Sequence, residues 1–325
     1  MGLRPIVLAA RLAFEFVLVF RVASVVPVRE GSSASSHRPS GLIVLVSWIR
    51  FACRLKQRVS STMAVAVHQD VSTSFLERVR RATSRALLLD YDGTLAPFTP
   101  DRARAFPYRE IPELISRIMR CNTRVVLVSG RPATELLFLS GIHPHPEIWG
   151  SHGSERLRPD GSYEVEAPPP EQRKALQTAA ASLRAARLDS RTEIKPGGLA
   201  VHWRGLSPEE RTSIENKVQT LFSSVVNDYG LHLLPFDGGL ELRAPGKNKG
   251  DAVSAILAEA GPGVAAAYLG DDQTDENAFR AIKRRGLSIL VRPEPRPTMA
   301  DVWLRPPDEL GRFLRDWLVA CGAEI

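Results

Sequence analysis

The sequence predicts an α/β protein, in which a doubly wound parallel sheet forms the core and an α+β segment is inserted into it. Two observations predict this class. Short, fully apolar runs alternate along most of the chain with amphipathic stretches of helical period. Between about residues 165 and 245 this alternation stops, and paired strands with longer helices replace it.

The apolar runs predict the strands of the core. They are ALLLD, RVVLVSG, AAAYLGDD and LSILVRP, and runs without a polar face are typical of parallel strands buried on both sides. The segments between them, IPELISRIMRC, ATELLFLSG, GDAVSAILAEAG and TDENAFRAIKRRG, show the period of amphipathic helices. The last two reach a glycine suited to a helix C-terminus, Gly261 and Gly286.

The inserted segment is predicted to be a cap. It contains an Ala- and Arg-rich helix, a hairpin in RTEIKPGGLAVHWRG, a second helix in SPEERTSIENKVQTLFSSVVNDYG, and the strands LHLLPF and GLELRA. We expect residues 63–165 and 246–325 to form the core and residues 166–245 to form the cap. An insertion at this place suggests a lid over the functional site.

Residues 1–62 differ in charge from the rest of the chain. They hold nine of the 43 Lys and Arg residues and two of the 36 Asp and Glu residues, which leaves 34 of each sign from residue 63 onward. The net charge of +7 therefore belongs to this segment. Because the remaining chain is neutral, we expect no nucleic-acid partner.

The same segment contains two apolar runs, LAFEFVLVF and GLIVLVSWIRFAC, which are shorter than a bilayer span requires. We expect a dispensable or disordered extension, with Met63 opening a cytoplasmic protein that does not bind membranes. A signal peptide or a membrane anchor remains the alternative. Three isolated cysteines, Cys53, Cys121 and Cys321, indicate neither a zinc site nor a disulfide framework and favour a reducing compartment.

Polar side chains follow three of the predicted strands. Asp90 and Asp92 follow the first, Ser129 and Arg131 the second, and Asp271 with Asp272 the third. Ligands bind at this edge of open α/β sheets, so these groups should converge on one crevice. Four carboxylates gathered there need a cation, and oxygen ligands without His or Cys favour Mg²⁺.

Phosphoryl transfer would explain the stretch LDYDGT. Asp90 could attack a phosphoryl group, and Asp92 could protonate the leaving oxygen and then activate water. The hydroxyl groups of Thr94 and Ser129 would bind phosphoryl oxygens. The alternative for this stretch alone is an ordinary Asp-rich turn.

A lysine at a helix start strengthens the phosphoryl-transfer hypothesis. Lys249, in GKNKGDAV, lies where the helix dipole disfavours a cation, and a nearby phosphate would reverse that cost. A solvated loop lysine is the alternative, and it remains the better interpretation of Lys247.

Four motifs in order, LDYDGTL, VSGR, NKGDAV and GDDQTDE, resemble those of the haloacid dehalogenase superfamily of aspartate-nucleophile phosphatases. Together with GSHGSE and EIKPGGLAVHWR, they make the chain similar to trehalose-6-phosphate phosphatases over residues 70 to 320. The resemblance implies a Rossmann-like core, a mobile cap and Mg²⁺. It also implies hydrolysis of trehalose 6-phosphate to trehalose and phosphate, the last step of trehalose biosynthesis.

The resemblance also assigns roles to single residues. Asp90 matches the nucleophile and first metal ligand, Asp92 the acid/base whose backbone carbonyl also reaches the metal, and Asp271 the third ligand. Asp272 and Asp275 match supporting groups that act through water. The phosphate-binding positions are Thr94, Ser129, Gly130 and Lys249.

Sugar recognition is predicted on the cap hairpin. Strand alternation places one apolar set, Ile194, Leu199, Val201 and Trp203, opposite a polar set, Glu193, Lys195, His202 and Arg204. A solvent-facing polar sheet is the alternative, and the resemblance adds that Glu193 and Lys195 match residues that hold the distal glucose. The further candidates for substrate binding are Arg131, His152, Glu155 and Glu241. The alternatives are a structural ion pair for Arg131, a structural role for His152, and pairing of Glu241 with Arg243 or Arg204.

Other functions stay open. A phosphatase for another sugar phosphate, such as sucrose phosphate or mannosyl-glycerate phosphate, would use the same chemistry, and a non-catalytic regulatory or scaffolding domain would not. Too few residues lie outside the phosphatase region to form a synthase domain. We therefore expect a monomer that acts on a small sugar phosphate downstream of a separate trehalose-phosphate synthase.

Overall fold

The computed structural model describes residues 71–99, 101–236 and 238–323. The predicted N-terminal extension, residues 1–62, and the proposed start at Met63 lie outside these residues. Two sheets organise the described chain, and the fold class expected from the sequence is confirmed. One is a mainly parallel sheet of eight strands, and the other is an antiparallel sheet of four.

The larger sheet has the order β12-β11-β10-β1-β2-β3-β4-β5. Every pair is parallel except β3 with β4 and β4 with β5. The strands are β1 Arg85–Leu89, β2 Thr123–Val128, β3 Glu147–Gly150, β4 Glu155–Leu157, β5 Tyr163–Val165, β10 Ala265–Gly270, β11 Gly286–Val291 and β12 Val302–Leu304. The strands β4, β5 and β12 were not predicted, because three residues are too few to show a period.

Eight α-helices are found in the described residues: α1 (residues 71–81), α2 Ile111–Arg120, α3 Ala133–Leu139, α4 Pro170–Ala185, α5 Pro208–Tyr229, α6 Lys249–Ala260, α7 Glu276–Ile282 and α8 Asp308–Ala320. Alternate residues of β1 enter different apolar layers. Leu87 and Leu89 pack with α1, α2, α3 and α8, whereas Ala86 and Leu88 pack with α6 and α7. Helices on both faces explain why the strand is apolar throughout.

The smaller sheet and two helices form the cap. The sheet order is β6-β7-β9-β8, with β6 Thr192–Lys195, β7 Gly198–His202, β8 His232–Phe236 and β9 Gly239–Arg243. Helices α4 and α5 cover one face, where Leu199, Val201 and Trp203 are buried as expected. The prediction for Ile194 was wrong, because its strand is the sheet edge and its side chain is 61% exposed.

The two predicted helix ends differ. Gly261 follows α6 with a φ of 83°, as expected for a glycine that ends a helix. Gly286 is the first residue of β11, because α7 ends at Ile282. A Cβ atom on Gly286 would lie 2.1 Å from the carbonyl oxygen of Ala266, so the glycine serves close strand contact instead.

None of the helices in residues 71–323 that the structure describes has the length and apolar character to cross a membrane.

Candidate active site

Three neighbouring strands of the larger sheet bring the predicted polar groups together. β10, β1 and β2 are adjacent, and Asp271, Asp90 and Ser129 follow their C-terminal ends. The backbone amide of Asp90 donates to the carbonyl oxygen of Leu269 at 2.8 Å, which extends the sheet pairing to the carboxylate itself. All three side chains are buried and line one cavity between the sheet edge and the cap.

Three carboxylates are concentrated at this edge. Asp90, Asp271 and Asp275 each offer an oxygen atom, and these atoms lie within 4.8 Å of one another. Asp275 Oδ1 accepts from Lys249 Nζ at 2.7 Å and from the Tyr268 hydroxyl at 2.5 Å. Its Oδ2 accepts from the backbone amides of Asp271 and Asp272 at 3.0 and 2.9 Å. Because Asp275 already accepts four hydrogen bonds, its place is behind the site.

Lys249 is the cation inside this cluster. Its Nζ donates to Asp90 Oδ1 at 2.6 Å and to Asp275 Oδ1 at 2.7 Å. Burial lowers the pKa of Lys249, but Asp275 and Asp90 outweigh burial and hold the pKa well above its usual range. Lys249 binds two of the three carboxylates, and the third, Asp271, has only a distant cation, Arg292, so the cluster is short of positive charge.

Asp271 is the carboxylate of the cluster with the weakest pairing to a cation. Among the described residues, its buried Oδ2 has no hydrogen-bond partner, and the Arg292 Nη1 atom is 3.9 Å away. Burial and the nearby Asp90 raise the pKa of Asp271 well above its usual range, and burial raises that of Asp90 to about 7 despite Lys249. Buried carboxylate oxygens without donors fit a hard cation, so these residues could hold a metal ion.

A glycine brings the chain close to that oxygen. Gly93 has a φ of 81°, and a Cβ atom there would lie 2.2 Å from Asp271 Oδ2. The residue after Asp92 must therefore lack a side chain. From the same turn, the Thr94 hydroxyl donates to Asp90 Oδ2 at 3.1 Å.

Asp92 has a different environment from Asp90. Its two oxygens accept from Arg131 Nη2 and Nε at 2.7 and 2.6 Å, in the planar fork typical of arginine and carboxylate. Arg131 is buried, whereas the Asp92 side chain is 27% exposed. The Ser129 hydroxyl oxygen accepts from the backbone amide of Arg131 at 3.2 Å.

His152 and Glu241 join the core and the cap across the cavity. His152 Nε2 lies 3.1 Å from Glu241 Oε2. Burial lowers the pKa of His152 although Glu241 opposes it, so the imidazole is neutral at pH 7. A Cβ atom on Gly130 would lie 2.8 Å from the His152 ring, which explains a glycine at that position. Lys195 Nζ donates to Glu241 Oε1 at 3.1 Å.

The polar face of the cap hairpin lines the same cavity. Glu193 lies 3.1 Å from His202 Nε2 and 3.7 Å from Lys195 Nζ. Burial would raise the pKa of Glu193, but Lys195, His202 and Arg102 outweigh it and lower the pKa to about 2. Burial, with Arg102, lowers the pKa of His202. Glu193 is therefore a buried carboxylate that stays charged.

Fourteen of the predicted residues line this cavity: Asp90, Asp92, Ser129, Gly130, Arg131, His152, Glu193, Lys195, His202, Arg204, Glu241, Lys249, Asp271 and Asp272. Thr94 and Asp275 contact Asp90 and Lys249 from behind. Glu155 lies apart, because its carboxylate accepts from the Ser151 hydroxyl, the Ala133 amide at 3.1 Å and the Tyr163 hydroxyl at 2.7 Å.

Four lining residues were not predicted from the sequence: Phe98, Arg102, Phe236 and Thr274. Phe98 and Arg102 come from the irregular loop between β1 and α2, which has no period to interpret. Phe236 lies at the end of β8, and only the pairing of β8 with β9 brings it near the cavity.

Comparisons with known proteins identify the family of the chain. The family model described as trehalose-phosphatase matches residues 88–305, more than half of the chain. The chain is 30% identical over 254 residues to trehalose 6-phosphate phosphatase RA3 of Zea mays, covering 70% of this chain and 68% of that protein. It is 29% identical over 258 residues to trehalose-phosphate phosphatase B of Arabidopsis thaliana, covering 70% and 64%.

The fold has solved counterparts. The C-terminal domain of C. albicans trehalose-6-phosphate phosphatase superposes with a TM-score of 0.63 at 20% identity, over 78% of this chain and 97% of that one. At this identity the likeness shows the fold, whereas the family model and the maize relative show the family. The chain therefore belongs to the trehalose-phosphatase family.

Proposed function

We propose that the protein hydrolyses trehalose 6-phosphate to trehalose and phosphate, through an aspartyl-phosphate on Asp90 and with Mg²⁺. The observation that carries this proposal is the environment of Asp90. Its carboxylate lies between Lys249 and Thr94, beside the unpartnered oxygen of Asp271, and faces the cavity that the polar side of the cap lines. In the domain division that we propose, residues 166–245 are the cap and residues 63–165 with 246–325 the core.

Asp90 and Asp271 would hold the Mg²⁺ with the backbone carbonyl of Asp92. Bound there, the cation would offset the repulsion between a carboxylate and a phosphoryl group. Lys249 supplies a fixed positive charge on the same side, because its Nζ is 2.6 Å from Asp90 Oδ1. Asp272 and Asp275 support the site, and Asp275 does so by holding Lys249 and the backbone after β10.

In the first step, a bond forms between an Asp90 oxygen and phosphorus while the bond from phosphorus to the sugar oxygen breaks. For this step Asp92 must enter protonated, which requires one of its two hydrogen bonds from Arg131 to open, and it then gives that proton to the sugar oxygen. In the second step, Asp92 takes a proton from water, whose oxygen attacks the aspartyl-phosphate and releases phosphate and Asp90. Between the two steps, the fork of Arg131 would stabilise Asp92 in its ionised form.

The phosphoryl oxygens would be bound by Lys249, the backbone of Gly130 and the hydroxyl groups of Thr94 and Ser129. The Ser129 oxygen accepts from the Arg131 amide, so its own proton is free to point at the phosphoryl group. These donors are in place before substrate binds. Donors that are positioned in advance stabilise best the charge that develops in a transition state.

The sugar hydroxyls would be bound by polar groups that line the cavity: Arg131, His152, Glu193, Lys195, His202, Arg204 and Glu241. Each hydroxyl left unpaired in a closed site costs on the order of 1–3 kcal/mol, so several such groups discriminate between sugars. We assign Glu155 an indirect part, because it holds the loop on which His152 lies.

The direct experiment is phosphate release with Mg²⁺ from a panel of trehalose 6-phosphate, sucrose 6-phosphate, mannosyl-glycerate phosphate and glucose 6-phosphate. We expect trehalose 6-phosphate to have the highest kcat/KM, by about tenfold or more, since each lost hydroxyl contact is worth that factor. Trehalose 6-phosphate at the bottom of the ranking would refute the substrate assignment. The absence of activity on every member would favour a non-catalytic domain.

A further inference from the structure

A proline-rich segment joins β11 to β12 and contacts the turn that carries Asp271. Its sequence, RPEPRPT, places Arg296 between Pro295 and Pro297. Each proline ring fixes one backbone torsion angle, so the segment has little conformational freedom to lose when Arg296 is held in one place. The Arg296 side chain is 13% exposed, which places most of it inside the protein.

Arg296 binds the backbone of two consecutive acidic residues. Its Nε atom donates to the carbonyl oxygen of Asp271 at 3.1 Å, and its Nη2 atom donates to that of Asp272 at 2.6 Å. Arg292 adds a longer hydrogen bond to the Asp271 carbonyl, at 3.4 Å. Because the guanidinium is planar and rigid, one of its edges holds both carbonyl groups in a fixed relation.

The other end of the guanidinium is anchored by Glu276, the first residue of α7. Arg296 Nη1 donates to Glu276 Oε1 at 2.5 Å, and Glu276 also accepts from the Thr298 hydroxyl and the Met299 amide, both at 2.8 Å. Burial would raise the pKa of Glu276, but these three partners outweigh it and lower the pKa, so Glu276 stays charged at pH 7. Since the pair is close to neutral, Arg296 contributes geometry to the turn rather than net charge.

The peptide group that joins Asp271 to Asp272 is bound on both sides. Its carbonyl oxygen accepts from Arg296, and its N–H donates to Asp275 Oδ2 at 2.9 Å. A Cβ atom on Gly93 would lie 2.2 Å from Asp271 Oδ2, so the Gly93 backbone limits the carboxylate from a third direction. Among the described residues nothing donates to this oxygen, which the turn holds ready for a cation.

We propose that Arg296 is a positioning residue, which fixes the orientation of Asp271 for the divalent cation while Glu276 holds Arg296. This inference rests on the proposed function, in which Asp271 is a metal ligand. Mg²⁺ demands near-ideal octahedral geometry, so its ligands must keep a narrow range of orientations. Without Arg296 the Asp271–Asp272 peptide group is bound from one side only, and part of the free energy of cation binding is spent on fixing it again.

Calorimetric titration of magnesium chloride into the whole chain, without substrate, measures this effect. We expect Arg296→Gln to raise the Kd for Mg²⁺ about tenfold or more, as is typical when a partner of a metal ligand is removed. Arg296 is outside the set of described residues that line the cavity at Asp90, so the variant removes no contact from that cavity. The matched control is Arg280→Gln, because exposed Arg280 lies in the same helix as Glu276 and donates to Asn277 Oδ1; it should bind Mg²⁺ as the wild type does.

Two further variants separate shape from charge. Arg296→Lys keeps a charge opposite Glu276 but lacks the planar edge, so it should recover only part of the affinity for Mg²⁺. It also serves if Arg296→Gln fails to fold. Glu276→Gln combined with Arg296→Gln should weaken Mg²⁺ binding no more than Arg296→Gln alone, because both residues act through one contact, whereas independent effects would multiply.

Turnover of trehalose 6-phosphate distinguishes a weaker cation site from a damaged fold. Arg296→Gln should need a higher Mg²⁺ concentration for half-maximal activity, and its kcat at saturating Mg²⁺ should return to within about twofold of the wild type. A damaged fold would instead lower kcat at every Mg²⁺ concentration.

Several results would overturn the role of Arg296: an unchanged Kd for Mg²⁺ in Arg296→Gln, an equal loss in Arg280→Gln, full recovery by Arg296→Lys, or a kcat that stays low at saturating Mg²⁺. The wild-type protein is measured first. Failure of the wild type to bind Mg²⁺ or to hydrolyse trehalose 6-phosphate would refute the proposed function, whereas normal wild-type behaviour with unaffected Mg²⁺ binding in Arg296→Gln would refute the role of Arg296 alone.

Discussion

Replacing Lys249 with Met should destabilise the protein strongly. Met has a similar length but no charge, so the substitution removes the hydrogen bonds at 2.6 and 2.7 Å to Asp90 and Asp275 and leaves the cavity filled. Both carboxylates are almost fully buried. Removing one partner from a buried ion pair costs about 3–5 kcal/mol, because the remaining charge has neither water nor a counterion.

The loss should depend on pH in a defined direction. The pKa of Asp90 is already raised to about 7 in the wild-type protein, mainly by burial. Without Lys249 it rises further, so protonation of Asp90 relieves the charge whenever the pH is below the new pKa. The variant should therefore lose more stability relative to wild type at about pH 8 than at about pH 6.

Urea unfolding in EDTA at both pH values measures these differences in the free energy of unfolding. The matched control is Lys247→Met, two residues earlier, because Lys247 is 42% exposed and pairs with exposed Glu166. The control should lose less than about 1 kcal/mol. A loss for Lys249→Met that is no larger than the control's would refute the buried-pair reasoning.

Two further predictions concern charge in the same cavity. In wild-type protein, Mg²⁺ at about 100 times its Kd should stabilise the fold by about 2.7 kcal/mol. Asp271→Asn should abolish this gain, because it removes the unpartnered oxygen. Thermal unfolding of both proteins in EDTA and in Mg²⁺ measures the gain, and an equal gain in the variant would contradict the metal site. Burial lowers the pKa of His152 below 6.5, so at lower pH the unfolded chain binds a proton there that the folded chain excludes, and the stability contributed by this group is lost as pH falls below about 6.5. The free energy of unfolding of His152→Gln should therefore fall less steeply than that of the wild type between about pH 7.5 and 5.5. Parallel curves of stability against pH for the two proteins would argue against this role of His152.

The parts of the fold with a strong pattern were predictable. β1 and β10 are apolar on both faces because helices cover both, and that pattern appears directly in ALLLD and AAAYLG. The edge strands were not predictable for a physical reason. β4 and β5 have three residues each, and Ile194 is apolar but exposed because its strand has no neighbour on one side.

The residues of the site also fall into a group that the sequence predicts and a group that it does not. Asp90, Ser129 and Asp271 follow buried strands, so the sheet places them at one edge whatever the cap does. The contacts of Arg102 depend on a loop meeting a strand 91 residues later in the chain, which no local pattern encodes. Glu155 is a charged residue near the site that was predicted to bind substrate. Its carboxylate instead accepts hydrogen bonds from the Ala133 amide and the Tyr163 hydroxyl, which hold a loop in place.

Rapid-quench mass spectrometry of the enzyme during turnover of trehalose 6-phosphate with Mg²⁺ would show whether Asp90 is the nucleophile. We predict a transient phosphoryl group on the peptide that contains Asp90, and neither that adduct nor phosphate release in Asp90→Asn. Phosphate release by Asp90→Asn at a rate near that of the wild type, without a phosphorylated peptide, would contradict it.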